Sequence, residues 1–311
     1  MLAYILRRLI HGIPTLLGVT LITFLLLNVF GGDPVMARLG KAATQEDIEA
    51  LRREHGLDKP FAVQYARYLA EIVRLDFGRS FVTQEKVSAI VSRSVAPSLS
   101  ITAPSLLLTT LLAVGMALIA ARWRGSLLDR GLVALAVAGM SISFLAYIVA
   151  AQYLLAFKAG WFQVYGYESG MLTRWQYLWL PILIQVVVAT GYDMRFYRAV
   201  LVEETTRLHV ATARAKGLPE HLVLLKHVLR NALIPIITRV MISVPFLVTG
   251  SLLVESFFGI PGLGLKMLQA LDQQDYPLVK ALTVLVSFLF VLTNILTDVL
   301  YAWADPRVRL E

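Results

Sequence analysis

The sequence predicts an all-α membrane protein with six transmembrane helices and an external helical segment after the first. Three observations carry this. The chain is 57% hydrophobic and 16% charged, with a mean hydropathy of +0.68, whereas a soluble domain carries about 25% charged residues. Six stretches approach or exceed the roughly 20 apolar residues that cross a bilayer: 9–30, 99–121, 131–157, 176–192, 236–254 and 281–297. Basic residues also gather in alternate short loops, the asymmetry that orients membrane proteins.

Residues 1–30 form an N-terminal transmembrane anchor. Arg7 and Arg8 precede an apolar run longer than the roughly 7–15 residues of a signal-peptide core, so the anchor is expected to be retained. Residues 31–98 form an external helical loop. Its part 31–97 holds ten basic and nine acidic residues. A loop of more than about 60 residues escapes the positive-inside bias. Thr44 caps a helix with Asp47 three residues on, and Gly56 ends it. Pro60 opens a second helix, with Val63, Tyr65, Tyr68, Leu69, Ile72 and Val73 supplying apolar surface.

Residues 99–311 hold the other five helices and a basic loop at 200–231. In that loop Thr212, Ala213, Arg214, Ala215 and Lys216 form a short helix. Gly217 stops it, and Leu218 and Pro219 complete a tight turn. A second helix follows, with Leu222, Leu225 and Leu229 on one face. Spacing alone also fits an ordinary interfacial loop. The pairs Ala134/Ala138 and Gly139/Ser143 suit close helix approach in lipid.

Orientation follows from Arg7 and Arg8; Arg122, Arg124 and Arg130; Arg195, Arg198, Arg207, Arg214, Lys216, Lys226 and Arg230; and Arg307 and Arg309. The opposite loops carry only Lys158, Arg174 and Lys266. Both termini are therefore expected in the cytoplasm, with the chain multi-pass in a bacterial inner membrane.

Several chemistries are excluded or disfavoured. With no cysteine there is no disulfide framework or thiolate site. The net charge of +8 is accounted for by the basic loops, and no nucleic-acid partner is expected. Gly259 and Gly264 have the glycine separation of a phosphate-binding loop, but Leu265 stands where the lysine must be. His11, His55, His209, His221 and His227 have no metal-binding spacing. No serine elbow occurs, and no catalytic residue or metal site is expected. A stand-alone carrier or channel would need charge at membrane depth; Asp193, Arg195, Arg239 and Asp298 are the candidates, most of them near span ends.

Two further features stand out. Glu255, Phe258, Pro261, Gly262 and Gly264 lie at the outer end of the fifth stretch. Such a Pro/Gly-rich segment suits an external gate or re-entrant element shielded by protein, against the plainer reading of a surface turn. Arg239 lies about one turn inside the fifth stretch. It either snorkels to the headgroups, faces the mouth of a solute path, or pairs with an acid on another helix.

From end to end the chain resembles the first permease subunit of the dipeptide/oligopeptide/nickel class of bacterial ABC importers. Ile5-Leu6-Arg7-Arg8-Leu9, Gly32-Asp33-Pro34, Gly56-Leu57-Asp58-Lys59-Pro60, Gln64-Tyr65 and Leu75-Asp76-Phe77-Gly78-Arg79-Ser80 carry the likeness in the first third. Ala213-Arg214-Ala215-Lys216-Gly217-Leu218, Arg230-Asn231-Ala232-Leu233-Ile234-Pro235, the stretch from Val254 to Gly264, Asp298, Tyr301 and Asp305-Pro306-Arg307 carry it in the rest. The chain departs from the family pattern at Leu208, His209 and Ala211.

The resemblance implies the type I importer permease fold, with 99–311 as permease core. It implies that Thr212 to Leu218 form the helix that couples to an ATPase subunit. The expected partners are a homologous second permease, two ATPase subunits that bind the ATP and Mg, an external solute-binding protein and the lipid bilayer. No cofactor is expected on this chain. The expected cargo is a di- or oligopeptide, with nickel complexes or glutathione as alternatives in the same family.

Overall fold

The computed structural model describes residues 2–29, 44–55, 58–168, 170 and 173–304. Gly32-Asp33-Pro34, Gly56, Leu57, Asp305-Pro306-Arg307 and Arg309 lie outside the described residues, as does the side chain of Asp47. Among the described residues the chain is helical apart from loops and one antiparallel bridge, Arg79 to Lys86.

The helices are α1 (Leu2–Val29), α2 (Gln45–His55), α3 (Phe61–Arg74), α4 (Val87–Arg122), α5 (Leu127–Ser141) and α6 (Phe144–Ala151). They continue as α7 (Arg174–Glu204), α8 (Leu208–Ala215), α9 (Glu220–Leu222), α10 (Leu233–Thr249), α11 (Leu252–Phe258), α12 (Leu263–Asp272) and α13 (Tyr276–Ala304). Wider π-helical turns prolong α6 over Gln152–Lys158 and α9 over Val223–Leu229.

Four helical stretches are each long and apolar enough to cross a membrane: Arg7–Leu27, Val87–Arg122, Arg174–Glu204 and Tyr276–Tyr301. Two more spans arise only if bent pairs are counted as one: Leu127–Ser141 with Phe144–Lys158, bent by 88°, and Glu220–Leu229 with Leu233–Val248, bent by 60°. Of the six predicted stretches, four fall on these continuous helices, the third contains the 88° bend, and the fifth begins after the 60° bend.

The 88° bend has a local cause. Ile142 is extended and ends α5, and the Tyr147 hydroxyl donates to the Gly139 carbonyl at 3.0 Å. This satisfies an acceptor that the interrupted ladder leaves open. The predicted fifth stretch, 236–254, corresponds to α10, which stops at Thr249, with α11 a separate short helix after Gly250. Gly250 sits at φ +73°, a conformation that side-chain-bearing residues rarely adopt.

The 36 residues of α4 would extend about 54 Å at 1.5 Å per residue, well beyond a hydrocarbon core of about 30 Å. The predicted loop 31–98 therefore ends inside a continuous helix, because apolarity and not helicity fades between 87 and 98. The chain forms two compact units. The first is Met1–Ser98, Val248–Ser256 and Pro261–Leu292; the second is Leu99–Leu247, Phe257–Ile260 and Thr293–Glu311. Residues 248–256 and 261–292 thus join the N-terminal stretch in the first unit, although they lie far from it in sequence.

In the first unit Phe24, Tyr68 and Val284 pack α1, α3 and α13 together. Lys280 lies with its ammonium 5.4 Å from the Phe24 ring centre and 5.0 Å from that of Tyr68, an aromatic setting that favours a cation. The turn after α3 uses the residues of the Leu75–Ser80 motif. Leu75 caps the helix in the left-handed region at φ 53°, and Asp76 accepts from the Gly78 N–H at 3.2 Å. Ser80 donates to the buried Asp275 carboxylate, which also accepts the Phe81 N–H at 2.9 Å.

In the second unit small residues bring helices close. Ala113, Ala117, Ala120 and Ala121 of α4 share a core with Ala136, Met194, Tyr197, Leu201, Val210, Ala213, Val223 and Val228. A Cβ added at Gly191 would lie 2.9 Å from the Ala136 carbonyl oxygen, so α5 and α7 meet backbone to backbone there.

Candidate functional site

Three places bring the chemistry-bearing residues together, and each lies within one compact unit.

The first is the short helix α8 in the second unit. Its residues Val210 and Ala213 are buried in the unit's core. Ala211, Thr212, Arg214, Ala215, Lys216, Gly217 and Leu218 are exposed. The helix stops as the glycine predicts: Gly217 takes φ +76°, and its N–H bonds the Arg214 carbonyl at 2.9 Å. Arg214 then reaches across the turn to Glu220, placing guanidinium nitrogens 2.7 and 3.2 Å from the two carboxylate oxygens. Pro219 caps the next helix. Ala213 does not face outward with its neighbours, because the 3.6-residue repeat turns Val210 and Ala213 to the same inner side.

Of the positions where the chain departs from the family pattern, His209 finds partners, while Leu208 and Ala211 are exposed. The His209 ring lies 3.3 Å from Glu204 and 2.8 Å from the Asn231 amide nitrogen. Asn231 in turn donates to the His227 carbonyl at 2.9 Å. These bonds tie the start of α8 to the break before α10.

The second place is the carboxylate of Glu255 in the first unit, with 0% of the residue exposed. Ser98 donates to one oxygen at 2.7 Å, and the Leu265 N–H donates to the other at 3.0 Å. The Ser98 hydroxyl meanwhile accepts the Leu263 N–H at 2.8 Å. A carboxylate from α11 and a hydroxyl from α4 together cap the amino end of α12, where free N–H groups and the helix dipole favour negative charge. Burial pushes the Glu255 carboxyl above its ordinary value of 4.5; the bonds from Ser98, Leu265 and Gly264 pull it back.

The glycines follow from this. A Cβ at Gly262 would overlap both the carboxylate and the Ser98 oxygen, and one at Gly264 would lie 2.9 Å from the carboxylate. Of the five residues expected to form a gate, Glu255, Pro261, Gly262 and Gly264 belong to the first unit. Phe258 belongs to the second, where its carbonyl accepts the Gly166 N–H at 2.9 Å. Ser98 was not singled out in the sequence; a lone serine inside an apolar run carries no signal of its own.

The third place is Arg239 on α10. Its guanidinium sits 2.7 Å from the carboxylate of Asp193 on α7, with side-chain exposures of 40% and 11%. Of the three environments open from the sequence, the structure has the ion pair to another helix, and the guanidinium is not held free for the headgroups. A second pair, absent from the sequence reading, lies between α5 and α7. Arg198 binds Asp129 through two nitrogens at 2.6 Å each. The Asp129 carboxylate also accepts the Gly125 N–H at 2.8 Å. Such forked geometry is the strongest ion-pair arrangement available to arginine.

The sequence has many relatives. Residues 1–102 match the N-terminal family of binding-protein-dependent transport system membrane components. Residues 113–310 match the binding-protein-dependent transport system inner membrane component family. A glutathione transport system permease protein of Salmonella paratyphi A is 36% identical over 311 residues, all of both chains. A relative in Brucella abortus named as a peptide transport system permease protein is 35% identical over 314 aligned positions, again covering both chains fully. A glutathione transport system permease protein of Escherichia coli O1:K1 / APEC is 35% identical over 311 residues, also all of both chains. Apolar spans, a short glycine-stopped helix set on a packed core, and family matches over nearly the whole length agree: this chain belongs to the binding-protein-dependent transport system inner membrane component family, as a multi-pass permease subunit of the peptide-type ABC importers.

Proposed function

We propose that this chain is half of the membrane path of an importer that takes up di- or oligopeptides, driven by ATP hydrolysed on two partner ATPase subunits. The observation that supports this best is the two-sided character of α8. Its inner face, Val210 and Ala213, is locked into the second unit, while Ala211, Thr212, Arg214, Ala215, Lys216, Gly217 and Leu218 are exposed. A short helix rigidly joined to a packed body is suited to carry a push from a docked ATPase into that body.

In this reading both termini and the 200–231 loop are cytoplasmic, and 31–98 is external. A homologous second permease completes the path, and an external binding protein delivers the solute. ATP acts by favouring one of two conformations through differential affinity. The clasp around Glu255, with Pro261, Gly262 and Gly264 beside it, serves as a gate element on the outer side. Glutathione, a small peptide with one unusual linkage, is the second reading, since full-length relatives bear that name.

The test is purification of the complex after co-expression with the neighbouring transport genes, followed by reconstitution into vesicles. Two ATPase subunits should co-purify, and a labelled dipeptide should accumulate only with ATP and the binding protein. Glutathione uptake with no dipeptide uptake would select the second reading. Solute flux through the isolated chain without any ATPase would overturn both.

A further inference from the structure

A groove of about 270 Å³ lies in the second unit between the end of α4 and the helix beginning with α9. Leu118, Ile119, Leu224 and Leu225 form its wall, and Arg122, Trp123 and His221 stand around it. Leu225 and Ile119 are 54% and 42% exposed, so the wall lies open along one side. Nothing in the coupling or gating reading uses it.

Its position and charge indicate what it holds. Helix α4 belongs to a candidate membrane span and ends at Arg122, and the helix from Glu220 leads, across a 60° bend, into Leu233–Val248. The groove therefore runs from apolar surface to the edge of the bilayer. Trp123, 49% exposed, is a residue type enriched at the level of lipid headgroups. The Arg122 guanidinium lies 5.8 Å from the Trp123 ring centre, and among the described residues no ion pair engages it. Glu220, close enough to feel the charge of Arg122, already has both oxygens bound by Arg214. An arginine fork left open at the membrane boundary, above an apolar furrow, matches a phosphate joined to a hydrocarbon chain.

We propose that this groove is a binding site for one anionic phospholipid. Arg122 takes the phosphate, with His221 beside it, and Leu118, Ile119, Leu224 and Leu225 sheathe the first part of an acyl chain. The lipid would lie against Leu224, which shares a core with Val210 and Ala213 of α8, so its occupancy would stiffen the seat of that helix.

The experiment is native mass spectrometry of the full chain in its purified complex, released from micelles containing equal phosphatidylglycerol and phosphatidylcholine. Wild type should retain phosphatidylglycerol over phosphatidylcholine by about fivefold, the preference one basic residue gives near an anionic surface. Arg122→Gln should bring the ratio close to one. Leu225→Glu, at an exposed position, should lower it as well. Arg93→Gln, on the same helix but outside the groove, should leave it unchanged. Equal retention of the two lipids by wild type, or an unchanged ratio in Arg122→Gln, overturns the proposal. So does inorganic phosphate displacing phosphatidylglycerol, which would mark a free-phosphate site. Binding that appears only after the ATPase subunits are stripped would mark a protein interface, and the proposal would again fall.

Discussion

Single side chains at polar, shielded positions decide how this apolar chain holds its shape. Glu255 is the sharpest case, since its carboxylate and Ser98 satisfy amide groups that α12 cannot satisfy itself. Gly262→Ala should destabilise the first unit by about 2–3 kcal/mol, because the new methyl group displaces a buried acceptor from its donors. Thermal unfolding of the purified protein reads this directly. Glu255 also predicts a pH dependence. Its folded-state carboxyl titrates above the ordinary value, so the folded chain holds the proton more tightly than the unfolded chain. The contribution of this group is then fully present below the unfolded value and is lost as pH rises through the folded one. Glu255→Gln should flatten that slope; an unaltered slope would show that other groups cause it. Arg239 and Asp193 make a second test. Arg239→Gln leaves a largely buried carboxylate unpaired, worth about 2 kcal/mol once the usual cost of breaking a buried pair is discounted for the 40% exposure of the arginine. The double variant Asp193→Asn, Arg239→Gln should recover part of the loss. Additive losses would mean that the pair is not coupled.

At the scale of elements, the broken helices and α8 matter most. A kinked span needs partners for the carbonyls freed at the break, and Tyr147 supplies one to Gly139. Helix α8 shows how a core can hold a docking surface. Ala213→Leu should overpack the second unit and cost about 1–3 kcal/mol, lowering assembly. Ala215→Leu, on the exposed face, should leave stability nearly unchanged while separating ATP hydrolysis from uptake in vesicles. If both variants were equally stable and equally active, the two-sided reading of α8 would be wrong. Gly217→Ala should cost about 1 kcal/mol through its left-handed backbone alone, since a Cβ there meets nothing within 4 Å.

At the scale of the molecule, the two compact units recombine distant stretches of sequence. Residues 248–256 and 261–292 join the N-terminal unit, which places the Glu255 clasp with Ser98. The proposed sidedness is testable on this cysteine-free chain. A cysteine at the exposed Gln45 should react with an impermeant maleimide from outside intact spheroplasts, and one at exposed Lys216 only after lysis. The reverse pattern would invert the topology.

Composition and periodicity were enough to specify an all-α membrane chain, its six apolar stretches, the stop at Gly217 and the helix starting beside Pro60. These depend on local physics: apolar transfer, backbone conformation at glycine and proline, and the charge of short loops. The tertiary structure alone decided that the third stretch bends within its length, that Ala213 faces inward, that Arg239 pairs with Asp193, and that Ser98 meets Glu255. Each of those outcomes depends on which distant group stands opposite. In an apolar setting an unpaired polar group is costly, so the partner that packing supplies, rather than the residue's own type, determines what that residue does.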